Sequence, residues 1–356
     1  MEHTTPDTRT EGLVRALVLA AGAGPHDSVF GKWFAPKPES EVDLTKFIIQ
    51  PFKYNKKIPS NLYLVASVAQ NSWGEEYTAN HKSDGTTEVP MWARQHSTEW
   101  WPAAQQLKLA FERLSGDWTV FADTDHLAAN PLTKLAFGAL ERIVVPLSLD
   151  QGDFSRLFHD PTGNALFKDV LMPMSQNKML SARVSKFIFT KLTSQENTVT
   201  ETQAGVIYPF KPRALAQKEM AELADSLRNV AKDSEAMQAT LYDFDVTLAD
   251  GTNSEDGAIS RKFCNKYCTA FKTVADGPAN VSKTYGAPLC TMGSNDTGLG
   301  DIVPDKRTLD ALKADINFAV LSILGQDYGL SEAFAGFHTH DGASPPAATP
   351  AFGSAA

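Results

Sequence analysis

Apolar and polar residues fall in blocks along this chain, and the blocks predict helices laid over a sheet of buried strands. Leu13 to Ala21 (LVRALVLAA) is rich in Leu and Val and runs into a Gly-containing turn, which reads as a buried strand. A second strand is predicted at Leu62 to Ser67 (LYLVAS), and the polar, Gly-containing stretch from Asn71 to Pro90 reads as a loop. From Trp92 to Leu114 the apolar spacing is three and four, the mark of an amphipathic helix, with Trp100, Leu107, Ala110, Phe111 and Leu114 on its buried face. Trp118 to Ala122 (WTVFA) reads as a strand ending in Asp123, Leu132 to Leu140 as the helix crossing back, and Arg142 to Leu147 (RIVVPL) as another buried strand. Strand, helix and strand in that order, with continuous apolar strands, predict a right-handed crossover within a parallel sheet.

Further along, Lys186 to Leu192 (KFIFTKL) adds a strand, and Pro212 to Thr240 is a long charged and Ala-rich helical stretch. Gly251 to Gly257 reads as a polar loop and Ser260 to Lys272 as helical. Pro304 to Leu324 is a capped amphipathic helix, with Leu309, Leu312, Ile316, Val320 and Leu324 on one face. The expected organisation is a polar, disordered start (residues 1–12), one α/β domain over 13–330, and a disordered Ala/Pro/Gly tail over 341–356.

Composition changes this picture little. The chain has 356 residues with 42% hydrophobic content, enough for a large core. No apolar run is long enough to cross a membrane, and the start lacks the layout of a secretory signal, so a cytoplasmic protein is expected. Three cysteines, Cys264, Cys268 and Cys290, make no disulfide framework; Cys264 and Cys268, four apart, would share a helical face but have no matching pair for a metal. The net charge of −9 disfavours nucleic acid on average, and the one short basic cluster, Lys53 to Lys57, reads as a solvated loop.

The candidate chemistry gathers in Asp117 to Arg156. Ligands of parallel α/β sheets sit outside the carboxyl ends of the strands, where Asp123 and Asp150 would fall. A carboxylate there can hold a magnesium-bound water or orient a nucleophile toward phosphate, and it can equally cap the next helix. The run F-A-D-T, then LTKLAFGAL, then RIVVPLSLDQGDFSRL resembles the ParA/MinD/CobQ group of deviant P-loop ATPases. IPSNLYLVAS and YGAPL (Tyr285 to Leu289) are similar to further segments of that group. The resemblance implies a mainly parallel, three-layer, Rossmann-like P-loop NTPase fold flanked by helices. It implies a Walker B-type role for Asp123 beside Thr124, a place near the nucleotide for Pro146 and Asp150, and ATP with Mg2+ as cofactors. DNA or a partition or positioning protein are the implied partners, and a dimer formed around ATP is the family habit.

The departure from that group is its phosphate loop. K-G-G-x-G-K-[ST] occurs nowhere in the sequence, and its nearest imitation, Gly22 to Trp33, has the wrong glycine spacing and a tryptophan where a hydroxyl should bind magnesium. In the register that matches best, Leu13 to Ala21 resembles the family's second strand, with Ala20 in place of an aspartate that helps activate water. ATP hydrolysis by the chain itself is therefore not expected. A rival reading takes LAAGAG, with Gly22, Gly24 and Lys37, as a nucleotidyltransferase loop, and Asp123-Thr124-Asp125 as the metal-holding D-x-D of a glycosyltransferase. A third takes the fold as a non-enzymatic interaction module. Asp243 to Thr247 (DFDVT) imitates the phosphatase motif of haloacid dehalogenases without the preceding buried strand that chemistry needs, and His338 to Asp341 reads as an incidental polar run.

Overall fold

A computed structural model describes residues 42–65, 100–124, 131–192, 211–248, 266–293 and 305–324, with short pieces at 80–81, 87–88, 128, 194–196, 200–201, 207–208, 263 and 296. The predicted strand at Leu13 to Ala21, the loop at Gly251 to Gly257, both expected disordered ends, Cys264 and His338 to Asp341 lie outside these residues.

In chain order the main elements are α1 (Trp101–Glu112), α2 (Pro131–Ala139), β1 (Arg142–Leu147), α3 (Gln151–Phe158), a π-helical turn (Leu166–Leu171) running into α4 (Met172–Gln176), and β2 (Arg183–Leu192). There follow α5 (Ala214–Asp233), α6 (Glu235–Gln238), β3 (Cys268–Lys272), α7 (Asp276–Tyr285) and α8 (Lys306–Leu324). The sheet has the order β1-β2-β3 and both pairings are parallel, so the fold is mixed α/β with a small parallel sheet flanked by helices. Arg142 lies opposite Arg183 and Leu147 opposite Phe189, while Phe187 lies opposite Cys268 and Leu192 opposite Lys272.

Burial follows position in the sheet. The central β2 is buried along nearly its whole length, as a parallel strand covered on both faces must be, whereas β1 alternates, with Ile143, Val145 and Leu147 inside and Pro146 exposed. A proline fits β1 because, among the described residues, that strand has a neighbour on one side only. One core joins the sheet to α1 to α6; Phe158 stacks on Phe167 at 5.3 Å between centroids, and Phe167 meets Phe187 at 6.2 Å. Phe167 and Phe187, both fully buried, each contribute roughly 1.5–3 kcal/mol through burial alone, and Phe158 is half-buried.

Helix ends follow their caps. Ser234 stops α5 in an extended conformation and starts α6, its hydroxyl accepting from Met237 N, so the long predicted helix is broken there. The αL conformation of Gly286 (φ 57°) ends α7, and Asn55 Nδ2 donates to the carbonyls of Tyr285 (2.6 Å) and Gly286 (3.2 Å). Lys57 lies over the Tyr285 ring at 3.8 Å and pairs with Asp296, so the short basic cluster clamps α7 as well as meeting solvent. At the far edge, Lys272 of β3 pairs with buried Asp315 of α8 at 2.9 Å.

Several expectations need correction. Trp118 to Ala122 forms no strand: residues 117–124 are irregular and exposed, so the crossover expected from them is not built and the parallel sheet is made by three other strands. The segment leaves α1 through Gly116 (φ 99°), and the Trp118 indole ties back to the Ser115 carbonyl at 2.9 Å; β-propensity without a pairing edge is not sufficient. Leu62 to Val65 likewise contributes only one antiparallel bridge, Leu64 to Ile49. Cys268 to Lys272 is β3 rather than the end of a helix, because parallel pairing with β2 outweighs a helical reading of Y-C-T-A-F-K, and Cys268 therefore sits on a strand. The Asn71 to Pro90 loop contains a two-residue antiparallel pair, Asn80–His81 with Thr87–Glu88. On α1, Trp100 and Ala110 are buried as expected, joined by Ala103 and Ala104, with Leu107, Phe111 and Leu114 packed half-buried against the core. On α8, Leu309 and Leu312 are buried but Val320 is exposed, because the buried stripe turns through Asp315 and Ala319 instead.

Candidate functional site

The carboxyl end of the sheet is assembled by β1, β2 and the turn into α3. Leaving β1, Ser148 donates through its hydroxyl to Asp153 Oδ2, and Asp150 caps α3 by accepting from Gly152 N at 2.8 Å. Asp150 and Asp153 thus occupy the cap and third positions of α3, where carboxylates satisfy the first N–H groups and complement the helix dipole. The Ser148 hydrogen bond holds the Asp153 carboxyl below the usual range, aided by the positive charges of Arg156 and Lys191. Arg156 Nη1 lies 3.7 Å from Asp153.

On β2, Thr190 Oγ1 donates to the Leu147 carbonyl at 3.2 Å, tying the two strand ends together. Between Phe189 and Leu192 the pairing with β3 slips, and Lys191 takes up the extra residue with φ 60°, a left-handed conformation uncommon outside glycine. Beyond β2 the chain forms antiparallel pairs, Ser194–Glu196 with Lys211–Pro212 and Thr200–Glu201 with Ile207–Tyr208. The strand ends therefore carry two carboxylates, two hydroxyls and a lysine at the place where parallel sheets hold ligands.

No family model, curated protein or solved structure matches this chain.

The site must be read from its own geometry. Asp150 and Pro146 stand on the β1 end as expected, Pro146 exposed within the strand and Asp150 at the first residue before α3. Asp123 and Thr124 are exposed on irregular backbone and belong to none of the sheet's strands. Gly22, Gly24 and Asp125 lie outside the described residues, so the two glycines and the D-x-D are not brought together in what is described. Ser148, Asp153 and Lys191 are additions. The spacing S-L-D-Q-G-D after a buried strand is a legible cap signal, whereas nothing local marks Lys191, whose position follows from a slip in pairing with a strand 80 residues away in sequence.

Among the described residues no group of three or more His, Cys, Asp and Glu side chains converges to hold a metal. Magnesium bound with a nucleotide needs fewer protein ligands, because it keeps several waters and takes one or two carboxylates beside the phosphates. Asp150 and Asp153 are the carboxylates at this strand end, and each already accepts a hydrogen bond at the start of α3.

A second cluster lies toward the amino end of the sheet. Lys186 is buried in the middle of β2 and donates to the Lys266 carbonyl at 2.5 Å; burial pushes its ammonium down to about 8. Lys266 pairs with Asp243 Oδ2 at 3.0 Å, and the Arg142 guanidinium lies 4.1 Å over the Tyr242 ring. Asp243 follows a single bridge between Leu241 and Val184 near the start of β2, and Asp245 accepts from Thr247 N at 2.9 Å in a local turn. The D-F-D-V-T motif therefore borders the wrong end of the sheet for phosphatase chemistry, and its two carboxylates serve a lysine and a turn. Among the described residues no helix is long and apolar enough to cross a membrane.

Proposed function

We propose that this chain is a relative of the ParA/MinD partition and positioning ATPases that binds a magnesium nucleotide at the carboxyl end of its parallel sheet and acts as a binding module in the cytoplasm, without hydrolysing ATP by itself. One observation supports the reading: within Asp117 to Arg156, the segment that carries the resemblance, residues 117–124 form no strand but residues 131–156 are helix, parallel strand, acidic turn and helix, with Asp150 and Asp153 at the strand end. The missing K-G-G-x-G-K-[ST] loop keeps hydrolysis out of the proposal. Asp123, on which the resemblance centres metal chemistry, is exposed and away from the paired strands, so the reading rests on Asp150 and its neighbours instead.

Thermal unfolding of the full chain with ATP or with nucleotide sugars, each with magnesium or manganese, tests it. The proposal expects stabilisation by Mg-ATP, lost in Asp150→Ala and kept in Asp123→Ala. Stabilisation by a nucleotide sugar and none by ATP would defeat it in favour of a transferase. Silence with every nucleotide would leave an interaction module on the same fold.

A further inference from the structure

The described surface carries its densest run of exposed apolar side chains on two short segments that touch. Tyr63 and Trp118 meet edge to face at 5.0 Å between centroids, which joins residues 50–65 to residues 115–124. On these two segments Leu64 is 50% exposed, Phe121 74% and Tyr54 85%. Singly exposed apolar residues are ordinary, but exposed apolar residues gathered on two segments joined by an aromatic contact point to an interaction surface. Both segments have fixed local geometry. Gln50 Nε2 donates to the Ser60 carbonyl at 2.6 Å and reaches Tyr63 Oη, while Gly116 and the Trp118 to Ser115 bond set the second segment.

Charge separates the two wings. Residues 50–65 contain lysines and no carboxylate, with Lys53 and Lys56 exposed; residues 115–124 contain Asp117 and Asp123, both exposed, and no basic side chain. A surface with cations on one wing, carboxylates on the other and aromatic rings between them complements itself across a twofold axis: the lysine wing of one copy meets the aspartate wing of the other, twice. Such an arrangement fits a second copy of this chain better than a nucleic acid or an anionic lipid surface, either of which Asp117 and Asp123 would repel.

We infer that the ledge of Tyr63, Trp118 and Phe121 is the interface of a homodimer of this chain. The contact needs no nucleotide, so it stands or falls separately from the proposed ligand site.

Sedimentation velocity of the full chain over a wide concentration range, without nucleotide, tests this. Wild type is expected to shift reversibly from monomer to dimer, and Phe121→Ser to weaken the dimer at least about tenfold, as loss of an aromatic anchor does. A variant with Lys53→Glu and Lys56→Glu, and another with Asp117→Lys and Asp123→Lys, should each be monomeric alone and should form a mixed dimer when combined. A wild-type chain that stays monomeric throughout overturns the inference, as does a dimer indifferent to these changes, which would place the interface elsewhere. A monomer in which the fluorescence lost on Trp118→Phe, one of six tryptophans, resists an aqueous quencher would show the ledge covered by the chain itself, and also overturns it.

Discussion

Burial deprives the Lys186 ammonium of water, and its hydrogen bond to the Lys266 carbonyl only partly replaces what is lost. The nearby positive charges of Lys266 and Arg142 act in the same direction. Its folded-state value near 8 lies below the ordinary 10.5, so between those two pH values the unfolded chain binds more protons than the folded one. Stability from this group therefore rises as pH rises through that window, by at most about 1.4 kcal/mol per pH unit, and the cost of holding a charged lysine is fully present below it. Lys186→Met should abolish that slope. Denaturant unfolding from pH 7 to 10.5 measures it: the advantage of the methionine variant over wild type is expected to shrink as pH rises, and a difference independent of pH would contradict the burial account. The opposite sign holds at Asp153, where hydrogen bonding to Ser148 favours the charged carboxylate, so its contribution is lost as the solution is acidified through the folded-state value.

Among elements, α1 and α2 pack closely at Gly138. A Cβ on Gly138 would stand 2.9 Å from Ala104 Cβ, 3.0 Å from the Trp101 ring and 3.1 Å from the Trp100 ring. Helix propensity favours alanine over glycine by about 1 kcal/mol, whereas overpacking against a methyl and two indoles costs roughly 1–3 kcal/mol. Gly138→Ala is expected to lower the melting temperature despite its better propensity; an unchanged or higher melting temperature would mean that the two helices separate at little cost. Helices were legible by different signals: apolar spacing at Pro304 to Leu324, a charged and Ala-rich composition at Pro212 to Thr240, where the break at Ser234 was not anticipated, and position before a buried strand at Leu132 to Leu140. Strands were legible where the apolar run is continuous and flanked by helices, as at Arg142 to Leu147. WTVFA is also apolar and β-prone but forms no strand, and Leu62 to Val65 makes a single bridge, because a strand is defined by its partner, and partners are chosen by the whole chain. Cys268 to Lys272 is the converse, a strand whose short run gave no period to distinguish it from the end of a helix.

For the whole molecule, the sequence made the parallel α/β class readable and left the membership of its sheet open. Of Asp123 and Asp150, both expected at carboxyl ends of strands, Asp150 follows β1, because a buried strand followed by an acidic cap signals its own polarity. Asp123 illustrates the limit, since its expected role depended on a neighbouring strand that is not formed among the described residues. Lys191 shows the same limit from the other side, because pairing slips are invisible in composition. The central claim is that a magnesium nucleotide occupies the end of β1 and β2. Hydrogen exchange of the full chain with and without Mg-ATP tests it most directly: protection concentrated in residues 147–153 and 189–192 is the result the account predicts, and unchanged exchange there would contradict it.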